Sequence, residues 1–268
     1  MHPTAARFHA LNAGKPMLLL PNAWDAGSAR ILEHAGAQAI ATSSAAVSWA
    51  QGFADGGHLP PARLLDVVSG ICRVCSVPVS VDIEDGLFAA NEEMADFVEK
   101  LGAAGAVGIN IEDGHSAPGV LASRIRTLRS RPALAGLFIN ARTDVVLRSL
   151  VSTSEIGAEV TERARRYKEA GANSVFVPGL TDETTIADLV AKAPAPINLM
   201  VCQGLPSLNT LANLGVHRVS TGPAPFLSAF AGLAAEVRSF LSAETVESRA
   251  TGLSCAEMDA LFPTAKHK

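Results

Sequence analysis

An alternation recurs along this chain: a short β-branched or apolar run, then an amphipathic helical run, eight times over. The spacing predicts strands over Met17–Pro21, Gln38–Ser43, Val77–Ile83, Ala106–Ile111, Gly136–Ala141, Ser174–Val177, Ile197–Val201 and Arg218–Thr221. Helices are expected over Ala26–Ala35, Pro61–Cys75, Asn91–Ala104, Ser123–Arg131, Thr153–Ala170, Asp182–Ala193, Ser207–Leu214 and Pro225–Ser242. Four of them close on an Ala-Gly or Leu-Gly pair (Ala35-Gly36, Ala104-Gly105, Ala170-Gly171, Leu214-Gly215), where glycine accepts the left-handed turn that ends a helix. Eight strand–helix units within 268 residues predict an α/β fold of the (β/α)₈, or TIM barrel, type as one domain. An open doubly wound sheet is the alternative, but no G-x-G-x-x-G follows the first strand. Residues 243–268 fall beyond the eighth helix. Leu253, Met258, Leu261 and Phe262 there suit a short apolar helix packed on the barrel or on a neighbouring subunit.

Charge and composition exclude several roles. A net charge of −4 without a Lys/Arg cluster offers no track for nucleic acid. No apolar stretch is long enough to span a bilayer, and the N-terminus lacks the basic-then-apolar pattern of a secretory leader. Four irregularly spaced cysteines make no disulfide framework, so a cytoplasmic protein is expected.

In a barrel of this type the chemistry sits at the carboxyl ends of the strands. Two of those ends stand out: Val81-Asp82-Ile83-Glu84-Asp85-Gly86 and Gly108-Ile109-Asn110-Ile111-Glu112-Asp113-Gly114. Buried strands do not finish in clustered carboxylates without a compensating cation. Asp55, in the loop after the second strand, adds to the cluster, and the fifth strand ends in Arg142 and Asp144. Hard oxygen donors with few histidines favour Mg²⁺, or Mn²⁺, over zinc. Structural salt bridges are the competing explanation for these acids. Arg142 offers a planar fork for a carboxylate, although Glu112 or Asp144 can equally claim it. Backbone N–H groups around Ser44 and Ala45 can hold a second anionic end.

Other residues divide less sharply. His115 follows the second acidic pair and is either a catalytic acid or base or a surface histidine. Trp24 is placed at the entrance. Cys72-Arg73-Val74-Cys75 has redox or zinc spacing, but no second pair accompanies it and inert core cysteines are expected. Cys202 lies at a strand end as a candidate acid. Tyr167, the single tyrosine, falls on an outer helix and is read as structural.

At these residues the chain resembles the isocitrate lyase / phosphoenolpyruvate mutase superfamily. The resemblance is carried by Asn22-Ala23-Trp24-Asp25-Ala26-Gly27-Ser28-Ala29, by Ala41-Thr42-Ser43-Ser44 with Asp55, by Val81-Asp82-Ile83-Glu84, by Ile111-Glu112-Asp113 and by Ala141-Arg142-Thr143-Asp144. It implies a barrel whose eighth helix is exchanged between subunits of a homotetramer, a dimer of dimers. It also implies Mg²⁺ and chemistry through the enolate of a 2-oxo acid, at a C–C or P–C bond. Carried over by position, Asp82 is the direct metal ligand, while Asp55, Glu84 and Glu112 hold the metal's waters. Ser43, Ser44 and Ala45 form the substrate-carboxylate pocket, with Arg142 facing the substrate.

Two departures limit the carry-over. The family's third strand ends Asp-x-Asp-Thr-Gly, and here Glu84 takes the second acid's place. Lyases of the family also carry a long gating loop with Lys-Lys-Cys-Gly-His, whereas Gly114-His115-Ser116-Ala117-Pro118-Gly119 is all that stands here. The expectation is a Mg²⁺-dependent lyase acting on a small 2-oxo or 2-hydroxy carboxylate, with oxaloacetate-type decarboxylation the reaction least in need of a gate. A phosphonopyruvate hydrolase or mutase, or a 2-oxo-acid-binding barrel without efficient turnover, are the alternatives.

Overall fold

The computed structural model describes residues 2–242 and 253–262. Nine parallel strands form one sheet: β1 (Leu18–Leu20), β2 (Asn22–Ala23), β3 (Ile40–Thr42), β4 (Val79–Asp82), β5 (Gly108–Glu112), β6 (Phe138–Arg142), β7 (Ser174–Phe176), β8 (Ile197–Met200) and β9 (Arg218–Ser220). The sheet runs β1-β9-β8-β7-β6-β5-β4-β3-β2, so its two edges are consecutive in the chain. The first strand, expected to end at Pro21, instead continues to Ala23 and is broken at Pro21, whose missing N–H interrupts the ladder. Its first half pairs with β9 and its second with β3. Asn22 stitches the break: its Nδ2 donates to Thr42 O at 2.8 Å, and its Oδ1 accepts from the N–H groups of Thr221 and Gly222 at 3.0 and 2.9 Å. The barrel is closed, as expected.

The helices follow the strands: α1 (Pro3–Leu11), α2 (Ala26–His34), α3 (Ser44–Ala50), α4 (Pro61–Val74), α5 (Asn91–Ala103), α6 (Pro118–Ser130), α7 (Ile156–Ala170), α8 (Glu183–Lys192), α9 (Leu208–Leu214), α10 (Ala224–Leu241) and α11 (Cys255–Ala260). Gly171 closes α7 at φ 112°, the left-handed geometry expected of the Ala-Gly ending. α6 begins at Pro118 rather than Ser123, because proline is well suited to the first helical position. α1 and α3 escape the periodicity argument because neither carries a clear apolar face of helical period.

Strand residues alternate faces. Outward-facing Val81, Ile109, Ile111, Ile139 and Ala141 pack against α4–α7 in the main apolar cluster. The bottom of the barrel is stopped by α1, whose Phe8 is fully buried and meets the Phe138 ring edge-on at 5.1 Å. Gly108 makes room for it, since a Cβ there would stand 2.8 Å from Phe8. Above this plug the interior turns polar. Ser80, Asn110, Asn140, Ser174, Asn198 and Ser220 occupy the middle layer, where barrels of this type ordinarily carry branched aliphatics.

The eighth helix, α10, is unlike the others. Only Phe226 is buried on it, while Leu227, Phe230, Leu233, Val237, Phe240 and Leu241 are exposed. Between α2 and α9, where a barrel's eighth helix would cover β1 and β9, lies an apolar groove of about 730 Å³ lined by Leu19, Leu32, Val201 and Leu208. Of the expected extension, residues 243–252 and 263–268 lie outside the described residues. α11 docks on α2 through Leu261, which is buried and whose carbonyl accepts from Arg30 Nε at 2.6 Å. No described helix is long and apolar enough to cross a membrane.

Candidate functional site

The upper ends of the strands surround a cavity of about 300 Å³. Asp55, Asp82, Arg142, Ser43, Ser44 and Ala45 line it, so six residues singled out from the sequence meet at one place. Asp82 is the last residue of β4. Its N–H donates to Thr42 Oγ1 at 2.9 Å, and its Oδ1 accepts from Glu84 N at 3.0 Å. That contact bends the chain, and Glu84 sits at φ 52°, left-handed geometry that a non-glycine residue adopts only when its surroundings hold it there. The strand below holds it: Glu84 O accepts from Glu112 N at 2.8 Å.

Glu112 and Arg142 are register partners on β5 and β6. Their side chains form an ion pair of 2.7 Å, and Arg142 Nε donates to Asp144 Oδ1 at 2.7 Å. Arg142 thus meets the cavity while two carboxylates grip its fork. Both partners proposed for it from sequence are real, and neither removes it from the cavity wall. Arg148, not singled out from sequence, donates from Nε to Asp144 at 2.8 Å. Its place four residues after Asp144 was the available signal. Asp144 is fully buried beneath these arginines, and its N–H donates to Asp113 Oδ1 at 2.9 Å. Asp113 in turn accepts from Arg163 at 2.7 Å and from the Tyr167 hydroxyl at 2.5 Å. Tyr167 is structural, as read from the sequence, and it anchors the loop that carries the site.

The remaining residues stand outside the cavity lining. Glu84 and Glu112 lie behind its wall. His115 is exposed on the rim, with its Nε2 2.9 Å from Arg148 Nη1. Trp24 packs edge-on against Phe226 of α10, 5.2 Å between centroids, and Trp49 of α3 lines the cavity in its stead. The segment between Glu112 and α6 is only Asp113–Ala117, shorter than the sequence suggested because α6 starts early. Cys72 on α4 and Cys75 just past its end lie away from this mouth, and burial pushes their thiols up to about 11 and about 12, so neither is a reactive thiolate.

The electrostatics explain what the site lacks. Burial raises the Asp82 carboxyl, with Arg142 opposing. Glu84 is pushed up to about 7, first by burial and then by the charges of Asp82 and Asp55. Glu112 reaches about 8 because burial, with Asp82 and Asp144, outweighs Arg142 and Arg148. Asp55, Asp82, Glu84, Glu112 and Asp144 outnumber Arg142 and Arg148 at the mouth, and the cavity's other arginine, Arg218, lies on its floor. Among the described residues no three His, Cys, Asp or Glu side chains stand close enough to cage a bare ion. An all-oxygen set that offers one or two direct carboxylates and further acids at a distance suits Mg²⁺, which retains most of its waters. It does not suit zinc.

A closed parallel barrel with an acidic, arginine-braced mouth defines a class of enzyme folds, and comparison with known proteins identifies the family. The phosphoenolpyruvate phosphomutase family profile matches residues 8–241, so the chain belongs to the isocitrate lyase / phosphoenolpyruvate mutase superfamily. A Burkholderia cenocepacia J2315 protein, provisionally described as a phosphonomutase, is 38% identical with a TM-score of 0.83 over 88% of this chain and 100% of that one. The 2-methylisocitrate lyase of Bacillus subtilis is 26% identical over 72% of this chain and 65% of that enzyme. A phosphonopyruvate hydrolase solved with oxalate and Mg²⁺ shares the fold, with TM-score 0.85 and 21% identity over 97% of this chain and 95% of that one.

Proposed function

We propose that this protein is a Mg²⁺-dependent lyase for a small 2-oxo or 2-hydroxy carboxylate, cleaving a C–C bond by an oxaloacetate-type decarboxylation. The observation that carries the reading is the excess of carboxylates over arginines at the mouth, with Asp82 and Arg142 facing one cavity. Asp82 would ligate the metal directly, and Asp55, Glu84 and Glu112 would hold its waters. When bound, Mg²⁺ supplies Lewis-acid charge that favours an enolate. Arg142, held by Glu112 and Asp144, orients the substrate carboxylate with a preset fork. Ser43, Ser44 and Ala45 receive the other anionic end at the first turn of α3. His115 on the rim is placed to exchange a proton with solvent, and Arg148 beside it restrains its ring. The short Asp113–Ala117 segment suits a reaction whose enolate is protonated by water, without a gating cysteine.

Incubation of small 2-oxo acids with protein and Mg²⁺, followed by proton NMR, tests this directly. Turnover that Asp82→Ala abolishes is the expected result. Mg²⁺-dependent oxalate binding with every substrate intact would instead make the chain a binding protein. The family profile and the Burkholderia relative favour a second reading, a phosphonopyruvate hydrolase or mutase. Phosphorus NMR with phosphonopyruvate separates it from C–C cleavage.

The same reading includes an oligomer in which α10 of one copy fills the α2–α9 groove of another. Its exposed Leu227, Phe230 and Leu233 match a groove of like chemistry. A cytoplasmic home agrees with the four cysteines being free thiols.

A further inference from the structure

The cavity does not end at the acids. Its floor reaches the polar middle layer and Arg218, the first residue of β9. Arg218 is 3% exposed, and the one acceptor it reaches among the described residues is Asn12 Oδ1, at 2.9 Å from Nη1. Its Nε is buried without a partner. The Phe138 ring, 5.7 Å from its guanidinium carbon, offsets part of the charge. No carboxylate does, and burial alone pulls the guanidinium down to about 9. Arginine keeps its proton in proteins, so the fold must accommodate a buried cation facing a void.

Asn198 lines the same floor, is 1% exposed, and leaves its Oδ1 unpartnered, while its Nδ2 makes a stretched 3.5 Å contact with Ser220 Oγ. Its two amide atoms are interchangeable by a half-turn. Turned, the amide accepts from the Ser220 hydroxyl, which exchanges its long 3.3 Å bond to Leu199 O for this one, and offers N–H to the cavity beside the unpaired Arg218 Nε. By contrast Asn140 and Ser174 are already paired, Asn140 to Asn110 at 2.9 Å and Ser174 to Asn140 at 2.7 Å. One further floor donor, Asn110 Nδ2, is unpartnered on the β5 side opposite Asp82, so the donors beside the guanidinium are those of Arg218 and of the turned Asn198.

We propose that this floor is an anion site, in which the Arg218 guanidinium and the Asn198 amide hold one small carboxylate-sized monoanion. Two sources share that chemistry: a free anion such as formate or a halide, and the far carboxylate of a diacid entering from the mouth. Only the second rests on the function proposed above.

The test uses Mg²⁺-free protein at constant ionic strength, with bulky sodium HEPES replaced stepwise by formate or bromide. A saturable rise in Tm of roughly 3–6 °C is expected. Asn198→Leu should weaken the half-saturating concentration at least threefold, and Arg218→Met should remove the response. If Arg218→Met does not fold, bromide-soaked wild-type crystals decide, with an anomalous peak expected between Arg218 and Asn198. Displacement of that bromide by a four-carbon diacid with Mg²⁺ assigns the site to the substrate's far end. Independent binding of the two assigns it to a free anion. A Tm that does not saturate, or is unchanged by Asn198→Leu, together with no bromide peak, means that the floor holds water only and overturns the proposal.

Discussion

At the scale of single residues, the acids at the mouth control stability as well as chemistry. Glu84 and Glu112 have folded-state pKa values of about 7 and about 8, above the ordinary 4.5, chiefly through burial. The folded chain therefore binds these protons more tightly than the unfolded chain does. Their contribution is fully present below about pH 4.5 and is lost as pH rises through about 7 to 8. Metal-free protein should accordingly show a Tm that falls between about pH 6 and pH 8.5 in a thermal-shift series. Mg²⁺ should restore more stability at pH 8.5 than at pH 6, because it replaces the missing positive charge when the acids are ionised. A flat metal-free profile would contradict an excess of carboxylates at the mouth.

Single elements explain how the site is held in place. β5 and β6 bring Glu112 beside Arg142, but the turn after β5 is fixed from behind by α7, through Tyr167 and Arg163 to Asp113 and on to the Asp144 N–H. Removing the Tyr167 hydroxyl leaves Asp113 with one strong donor fewer in a buried setting. Tyr167→Phe should lower the unfolding free energy by about 1.5–3 kcal/mol, as expected for a hydrogen bond to a charged group, measured by urea denaturation. The elements that the periodicity missed, α1 and α3, are also those with a positional role: α1 stops the barrel with Phe8, and α3 presents Ser44 and Ala45 to the cavity. Neither shows a clear helical repeat, so the information that specifies it lies in what it packs against.

For the whole molecule, α10 is the element left over. A helix with Phe240 67% and Leu241 74% exposed, on a chain with an open apolar groove elsewhere, points to assembly between copies. Wild-type protein should sediment as an oligomer, and Phe230→Glu with Leu233→Glu should yield smaller species while leaving the circular dichroism of the barrel intact. An unchanged sedimentation coefficient in the double variant would place the interface elsewhere.

The sequence by itself determined the barrel, because alternating β-branched runs and helical faces are local patterns, repeated often enough to leave one economical closure. It also determined which strand ends carry charge, since an acid ending an apolar run is visible without coordinates: Asp82, Glu112 and Arg142 were legible in this way. Only the tertiary structure decided which charges meet. Arg148 joins Asp144, Tyr167 reaches Asp113 across more than fifty residues of chain, and Trp49 takes the cavity wall while Trp24 packs on α10. The polar floor with Arg218 was hidden for the same reason. Side-chain alternation shows that a residue points inward, but whether its charge finds a partner there depends on seven other strands.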